Sequence, residues 1–174
     1  MLVNLSDVLS SEGKVERVSV PLEMTSFKTR MGEFPITQKS DVQLTMRNAG
    51  ARKAKVEGHV ELAFAAICDR CLTEVSVPLI LDFEETVTSP DAVKTEDAED
   101  DFDIMEGYQL NVEAFVYNEI LVNWPMKILC RPDCKGVCPV CGKNLNDGEC
   151  GCDTFVPDPR MAVIQDIFNA NKEV

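Results

Sequence analysis

Six of the eight cysteines fall in one stretch, Cys130-Arg-Pro-Asp-Cys134-Lys-Gly-Val-Cys138-Pro-Val-Cys141-Gly-Lys-Asn-Leu-Asn-Asp-Gly-Glu-Cys150-Gly-Cys152, and the other two form Cys68-Asp-Arg-Cys71. Thiols at this density pair as disulfides, exchange electrons or hold a metal. A segment this short buries too little apolar surface to fold on its own, so a cross-link or an ion must close its loops. Met1 leads into Leu2, Val3, Asn4, Leu5, Ser6 and Asp7, without the basic start and continuous apolar run of a secretory leader, and no apolar stretch is long enough to span a bilayer. A cytoplasmic protein is therefore expected. In a reducing compartment, clustered thiols favour metal over structural disulfides.

Zinc prefers four tetrahedral ligands, and thiolates are common structural ones. Cys138-Pro-Val-Cys141-Gly142 has the form of a zinc knuckle, a tight turn whose backbone N–H groups can point at the sulfurs. Cys150-Gly-Cys152 can complete that tetrahedron after a short loop, although one intervening residue is less usual than two. The first expected site is thus Cys138, Cys141, Cys150 and Cys152. Cys68, Cys71, Cys130 and Cys134 then make a second, joining a hairpin tip to the C-terminal region. Count alone does not settle the grouping, because the pair Cys68 and Cys71 could instead join Cys138 and Cys141. One or two zinc ions are expected.

Other chemistries are weaker matches. Cys134, Cys138 and Cys141 have the spacing with which radical S-adenosylmethionine enzymes hold an iron-sulfur cluster. Those enzymes carry a large barrel after the motif, whereas only a few dozen residues follow Cys141. Thiol exchange at Cys68 and Cys71 lacks a preceding thioredoxin-like βαβ pattern, and Asp69 disfavours a thiolate there. There is no nucleophile with an adjacent base and no phosphate-binding glycine loop. His59, the single histidine, reads as a surface residue in mid-strand. The expected function is non-catalytic; a metal- or thiol-dependent enzyme, or a redox sensor that releases zinc on oxidation, is the alternative.

The elements that must position the cysteines read mostly as strands. Val18, Val20, Leu22 and Met24 alternate with polar residues, as do Val42, Leu44 and Met46. Val56, Val60, Leu62 and Phe64 oppose Lys55, Glu57, His59 and Glu61, and Val75, Val77, Leu79, Leu81 and Phe83 repeat the period. Strands near 41–48, 54–67 and 74–87 form an antiparallel meander with Cys68 and Cys71 at the last turn. The pattern near 17–24 extends or curls it, with Pro21 marking an edge. Asn111 caps a helix carrying Val112, Phe115, Val116, Ile120 and Trp124 on one side, ended by Pro125. Trp124 and Tyr117 read as core or interface rather than a nucleobase platform. Asp158-Pro159 starts a short helix with Met161, Ile164, Ile167 and Phe168.

The expected fold class is α+β: an antiparallel sheet or partly closed barrel, a packed helix and a C-terminal zinc-ribbon-like element. The expected segments are a β-rich domain at 1–88, an acidic linker or loop at 89–106, the helix at 107–125, the zinc-binding element at 126–153 and a tail at 154–174. A formal net charge of -13 sets the chain against phosphate backbones. A basic protein is the favoured partner, and direct RNA binding through Lys127, Arg131, Lys135 and Lys143 is the less favoured one.

The combination of Cys68-Asp-Arg-Cys71-Leu72, the acidic gap, Glu119-Ile-Leu-Val-Asn-Trp-Pro125, Leu129-Cys130, the run from Asp133 to Asn146 and Asp158-Pro-Arg160 resembles the YceD-like family. Its members are often named large ribosomal RNA subunit accumulation proteins. The resemblance covers nearly the whole chain, with the first forty residues matching in pattern only. It implies a part in accumulation or processing of large-subunit ribosomal RNA, in bacteria and chloroplasts, without an assigned reaction. Some members lack parts of the C-terminal cysteine cluster, which implies an architectural metal.

Overall fold

Strict alternation of side chains produces most of the regular structure. A computed structural model describes residues 1–91 and 104–153. In chain order its elements are β1 (Leu2–Asn4), α1 (Ser6–Ser10), β2 (Val15–Val20), β3 (Ser26–Thr29), β4 (Gly32–Lys39), β5 (Val42–Gly50), β6 (Lys53–Ile67), β7 (Glu74–Thr88), β8 (Met105–Glu106), β9 (Gln109–Asn111) and α2 (Val112–Asn123). The chain divides into two units, Met1–Ile67 with Glu74–Ile128, and Cys68–Thr73 with Leu129–Val174. All the named elements belong to the first.

Strand β6 organises the first unit. It pairs along its whole length with β7, from Lys53↔Thr88 to Ile67↔Glu74. Its other edge is shared, with β5 on the N-terminal half and β4 on the C-terminal half. The corner between β4 and β5 is fastened by the Ser40 N–H, which donates to the Glu61 carbonyl at 2.9 Å, and by the Glu61 N–H, which donates to the Ser40 hydroxyl at 3.0 Å. With β2 on β5 and β3 on β4, the antiparallel sheet curls into a half-barrel. The expected meander is β5-β6-β7. Pro78 sits in β7, which pairs only with β6 among the described strands, and Pro21 follows the edge strand β2, where a missing N–H is tolerated.

The buried face of the sheet meets α2. Asn111 caps this helix by accepting from the Ala114 N–H at 3.2 Å, and Trp124 before Pro125 turns extended, as a residue preceding proline must. Val112, Phe115, Val116 and Ile120 are buried, with the Phe115 and Phe83 ring centroids 4.7 Å apart. Trp124 packs among Phe34 at 4.6 Å, Phe27 at 5.0 Å and Phe64 at 5.1 Å. Tyr117 lies beside Phe27 and donates its hydroxyl to the Lys28 carbonyl at 2.8 Å. Both aromatics are partly buried and pack against the core. A second small sheet, β1-β9-β8, ties the N-terminal residues to the start of α2, and Leu5, Val8 and Leu9 are buried beside it.

Gly58 faces Phe83 across the β6–β7 pair. A β-carbon there would stand 2.0 Å from Phe83 Cε2, so the ring occupies the space a side chain would need. Phe115 packs against the same ring and limits how far it can yield. Gly58→Ala is expected to destabilise the first unit by about 1–3 kcal/mol, as overpacked cores do. A lower urea midpoint at an unchanged slope, followed by Trp124 fluorescence, checks it.

The two described ends of the acidic stretch are fastened to the first unit. Ser89 is buried and its N–H donates to the Arg52 carbonyl at 2.9 Å, while the Tyr108 hydroxyl donates to the Asp91 carboxylate. At the other end Ile104 enters the core and Met105–Glu106 form β8, because apolar residues return there. Residues 92–103 and the expected helix from Asp158 lie outside the described residues. No helix among the described residues is long and apolar enough to cross a membrane.

Candidate metal centre

Two turns of the same build present four of the eight cysteines of the second unit. At Cys68–Thr73 the Cys68 N–H donates to the Thr73 carbonyl at 2.8 Å and the Leu72 N–H to the Cys68 carbonyl at 3.0 Å. At 138–143 the Cys138 N–H donates to the Lys143 carbonyl at 2.8 Å and the Gly142 N–H to the Cys138 carbonyl at 2.9 Å. The residue after the second cysteine is left-handed in both, with φ of 60° at Leu72 and 73° at Gly142. Glycine accepts that conformation without strain, whereas Leu72 holds it at a cost of roughly 1–2 kcal/mol. The knuckle form is thus present twice, once with an unfavourable residue.

The thiols gather into two groups of four, Cys68, Cys71, Cys130 and Cys134, and Cys138, Cys141, Cys150 and Cys152. Within each group all four sulfurs lie within 4.8 Å of one another, and no cysteine is in a disulfide. In the first, the Cys68 and Cys134 sulfurs are 3.8 Å apart and those of Cys71 and Cys130 3.5 Å. Four thiolates on one tetrahedral ion at about 2.3 Å stand about 3.8 Å apart, so this donor set has the size and softness that fit a metal ion. A disulfide needs sulfurs at about 2.05 Å.

The turns aim backbone dipoles at the sulfurs. Burial opposes ionisation of Cys68, but N–H groups of Cys71, Arg70 and Cys130 outweigh it and bring the thiol down to about 6. At Cys138 the N–H groups of Cys141 and Val140 win over burial and also bring it to about 6. Cys134 is lowered chiefly by the Asn146 side chain. The crowded partners go the other way: Cys130 is pushed up to about 12 by Cys71 first and then burial, and Cys152 to about 12 by Cys141 and Cys150. Each group readily forms its first thiolate and resists the last, which is the electrostatic situation a divalent cation relieves.

Polar groups around the first group fix its sulfurs. The Asn146 amide nitrogen lies 3.3 Å from the Cys134 sulfur, and the Thr73 hydroxyl oxygen 3.2 Å from that of Cys71. The Cys130 N–H donates to the Cys68 sulfur at 3.3 Å, and Arg70 donates to the Cys134 carbonyl at 2.9 Å. Asn144 and Asn146 drew no functional reading from the sequence. Their one signal is the repeated asparagine in the loop between Cys141 and Cys150.

His59 joins neither group. It lies in the first unit, partly exposed, with Nδ1 2.6 Å from an Asp82 carboxylate oxygen and Nε2 3.7 Å from Glu61. The hydrogen bond that Asp82 accepts from His59 outweighs the desolvation and, with the carboxylate charges, raises the imidazole above its ordinary 6.5. The resulting stabilisation is present below the ordinary value and is lost as pH rises through the raised one. An NMR titration is expected to place His59 above 6.5, and Asp82→Asn to bring it back down.

A family model described as "Large ribosomal RNA subunit accumulation protein YceD" matches residues 56–168, which contain all eight cysteines. Two curated relatives, uncharacterized proteins of Mycobacterium bovis and Mycobacterium tuberculosis, are each 28% identical over 119 residues. The match covers 68% of this chain and 57% of each relative, so the chain spans little more than half the length of these proteins. No solved structure matches it.

Proposed function

The chain belongs to the YceD family, and from that premise we propose that it is a zinc-stabilised, non-catalytic protein that supports accumulation of large-subunit ribosomal RNA in the cytoplasm. In this reading it acts as an adaptor for a basic protein of the ribosome assembly pathway. The observation that carries the architectural role is the closed donor set: each group offers four protein thiols to one ion. Structural zinc sites are closed in this way, whereas catalytic ones keep a position for water or substrate. Zinc is favoured over a harder ion because every ligand offered is a thiol, and over an iron-sulfur cluster because sulfurs at this spacing leave room between them for a single ion.

Charge supports the choice of partner. The described part of the second unit has four basic side chains, Arg70, Arg131, Lys135 and Lys143, against five acidic ones, Asp69, Asp133, Asp147, Glu149 and Asp153. Two zinc ions, each held by four thiolates, leave two further negative charges apiece, so the loaded unit is more acidic than its side chains alone suggest. Phosphate is repelled and a basic protein surface is attracted.

The test is restoration in cells lacking the protein. Wild type is expected to restore the ratio of large- to small-subunit ribosomal RNA, and Cys68→Ala and Cys138→Ala to fail while the first unit stays folded. Full restoration by both cysteine variants would remove the metal from the function.

A further inference from the structure

The loop that one cysteine group closes supplies the hydrogen bonds that hold the other. Residues 142–149 lie between Cys141 and Cys150, two thiols of the same group. From this loop Asn146 reaches the Cys134 sulfur with its amide nitrogen at 3.3 Å. Asn144 donates to the Thr73 hydroxyl at 3.4 Å, which in turn lies 3.2 Å from the Cys71 sulfur. Two sulfurs of the group Cys68, Cys71, Cys130 and Cys134 are therefore held, directly or through Thr73, by a loop whose ends are fixed at the other group.

The asparagines are firmly set. The Asn146 side-chain Oδ1 accepts from Arg131 at 2.7 Å and from the Lys135 N–H at 2.9 Å, and its Nδ2 also donates to the Asn144 side-chain Oδ1 at 2.8 Å. With Cys134, that uses two acceptor and two donor positions, the full capacity of the side chain. Asn144 also accepts the Asn146 N–H at 3.0 Å, and the Leu145 N–H donates to the Gly136 carbonyl at 2.8 Å. Such a network keeps its geometry only while the loop ends are held.

We propose that the two metal sites are coupled through Asn144 and Asn146, so that an ion on Cys138, Cys141, Cys150 and Cys152 raises the affinity of Cys68, Cys71, Cys130 and Cys134 for the second ion. This rests on the zinc reading above. The coupling is reciprocal in free energy, but loading has an order. The ligands 138–152 are close in sequence, whereas Cys71 and Cys130 are 59 residues apart, and closing the longer loop costs more chain entropy. The local site fills first and organises the loop for the distant one. Outer hydrogen bonds of this kind are worth about 10–100-fold in metal affinity.

The experiment titrates the full-length chain with zinc against a chromophoric chelator. Wild type is expected to take up two ions. Cys150→Ser with Cys152→Ser should keep one ion, bound about 10–100-fold more weakly than the weaker ion of wild type. Asn146→Ala should keep two ions, with one weakened by a comparable factor, and should add little when combined with the double cysteine change. A remaining ion held at wild-type affinity in the double cysteine variant, or no weakening in Asn146→Ala, overturns the coupling and leaves the zinc reading intact. No zinc on wild type overturns both.

Discussion

Chelation of the metal is expected to abolish amide protection in 129–153 and at 68–73, and Cys138→Ala to abolish it chiefly in 138–152, while the half-barrel stays protected. The two units differ in what fills their interiors. In the first, Phe27, Phe64, Leu5, Leu44, Met46 and Ile120 are fully buried, a core that needs no ion. In the second, the buried side chains among the described residues are Cys68, Cys71, Cys134 and Cys138. Its interior is half of its proposed ligand set, with Cys130 and Cys141 exposed and Cys150 and Cys152 between. Removing the ion leaves crowded thiols, whose ionised members repel one another, where a core should be, and a segment this small has little else to hold it. Hydrogen exchange on the full chain reads the two regions separately. Equal protection of 129–153 with and without metal would contradict the account.

Large-subunit ribosomal RNA alone is expected to bind weakly, whereas basic ribosomal proteins should bind in a way that weakens as salt rises. Beyond the net charge of -13, three of the four positive side chains in the described part of the second unit are occupied in holding loops. Arg70 donates to the Cys134 carbonyl, Arg131 to Asn146, and Lys143 to the Glu149 carbonyl at 3.1 Å. Charge reversal at Lys135 and Lys143 should therefore leave RNA binding as weak as before. Sub-micromolar RNA binding by the purified protein, lost in that variant, would show that RNA is the direct partner.

Much of this architecture is legible in residue order, because alternation and spacing are local properties. Val42, Leu44 and Met46, then Val56, Val60, Leu62 and Phe64, fix which face of β5 and β6 is buried. Asn111 and Pro125 bracket α2. Other features depend on distant pairing. The β3–β4 hairpin escapes a reading by alternation because β3 is short and buries only Phe27, and Pro35 interrupts β4. Leu5, Val8 and Leu9 become core only because β1 pairs with β9, more than a hundred residues along the chain. His59 gains Asp82 through the β6–β7 register, which sequence does not state until the turn at Cys68–Thr73 is fixed. Asn144 and Asn146 look like ordinary loop residues until Cys134 and Thr73 are seen beside them.

The most direct measurement is native mass spectrometry of the full chain with elemental analysis and a visible absorption spectrum. Two zinc ions per chain and a colourless protein are the predicted result, one ion for each set of four thiols. Wild-type protein that carries no metal, or a brown protein with iron-sulfur charge-transfer bands, would contradict it.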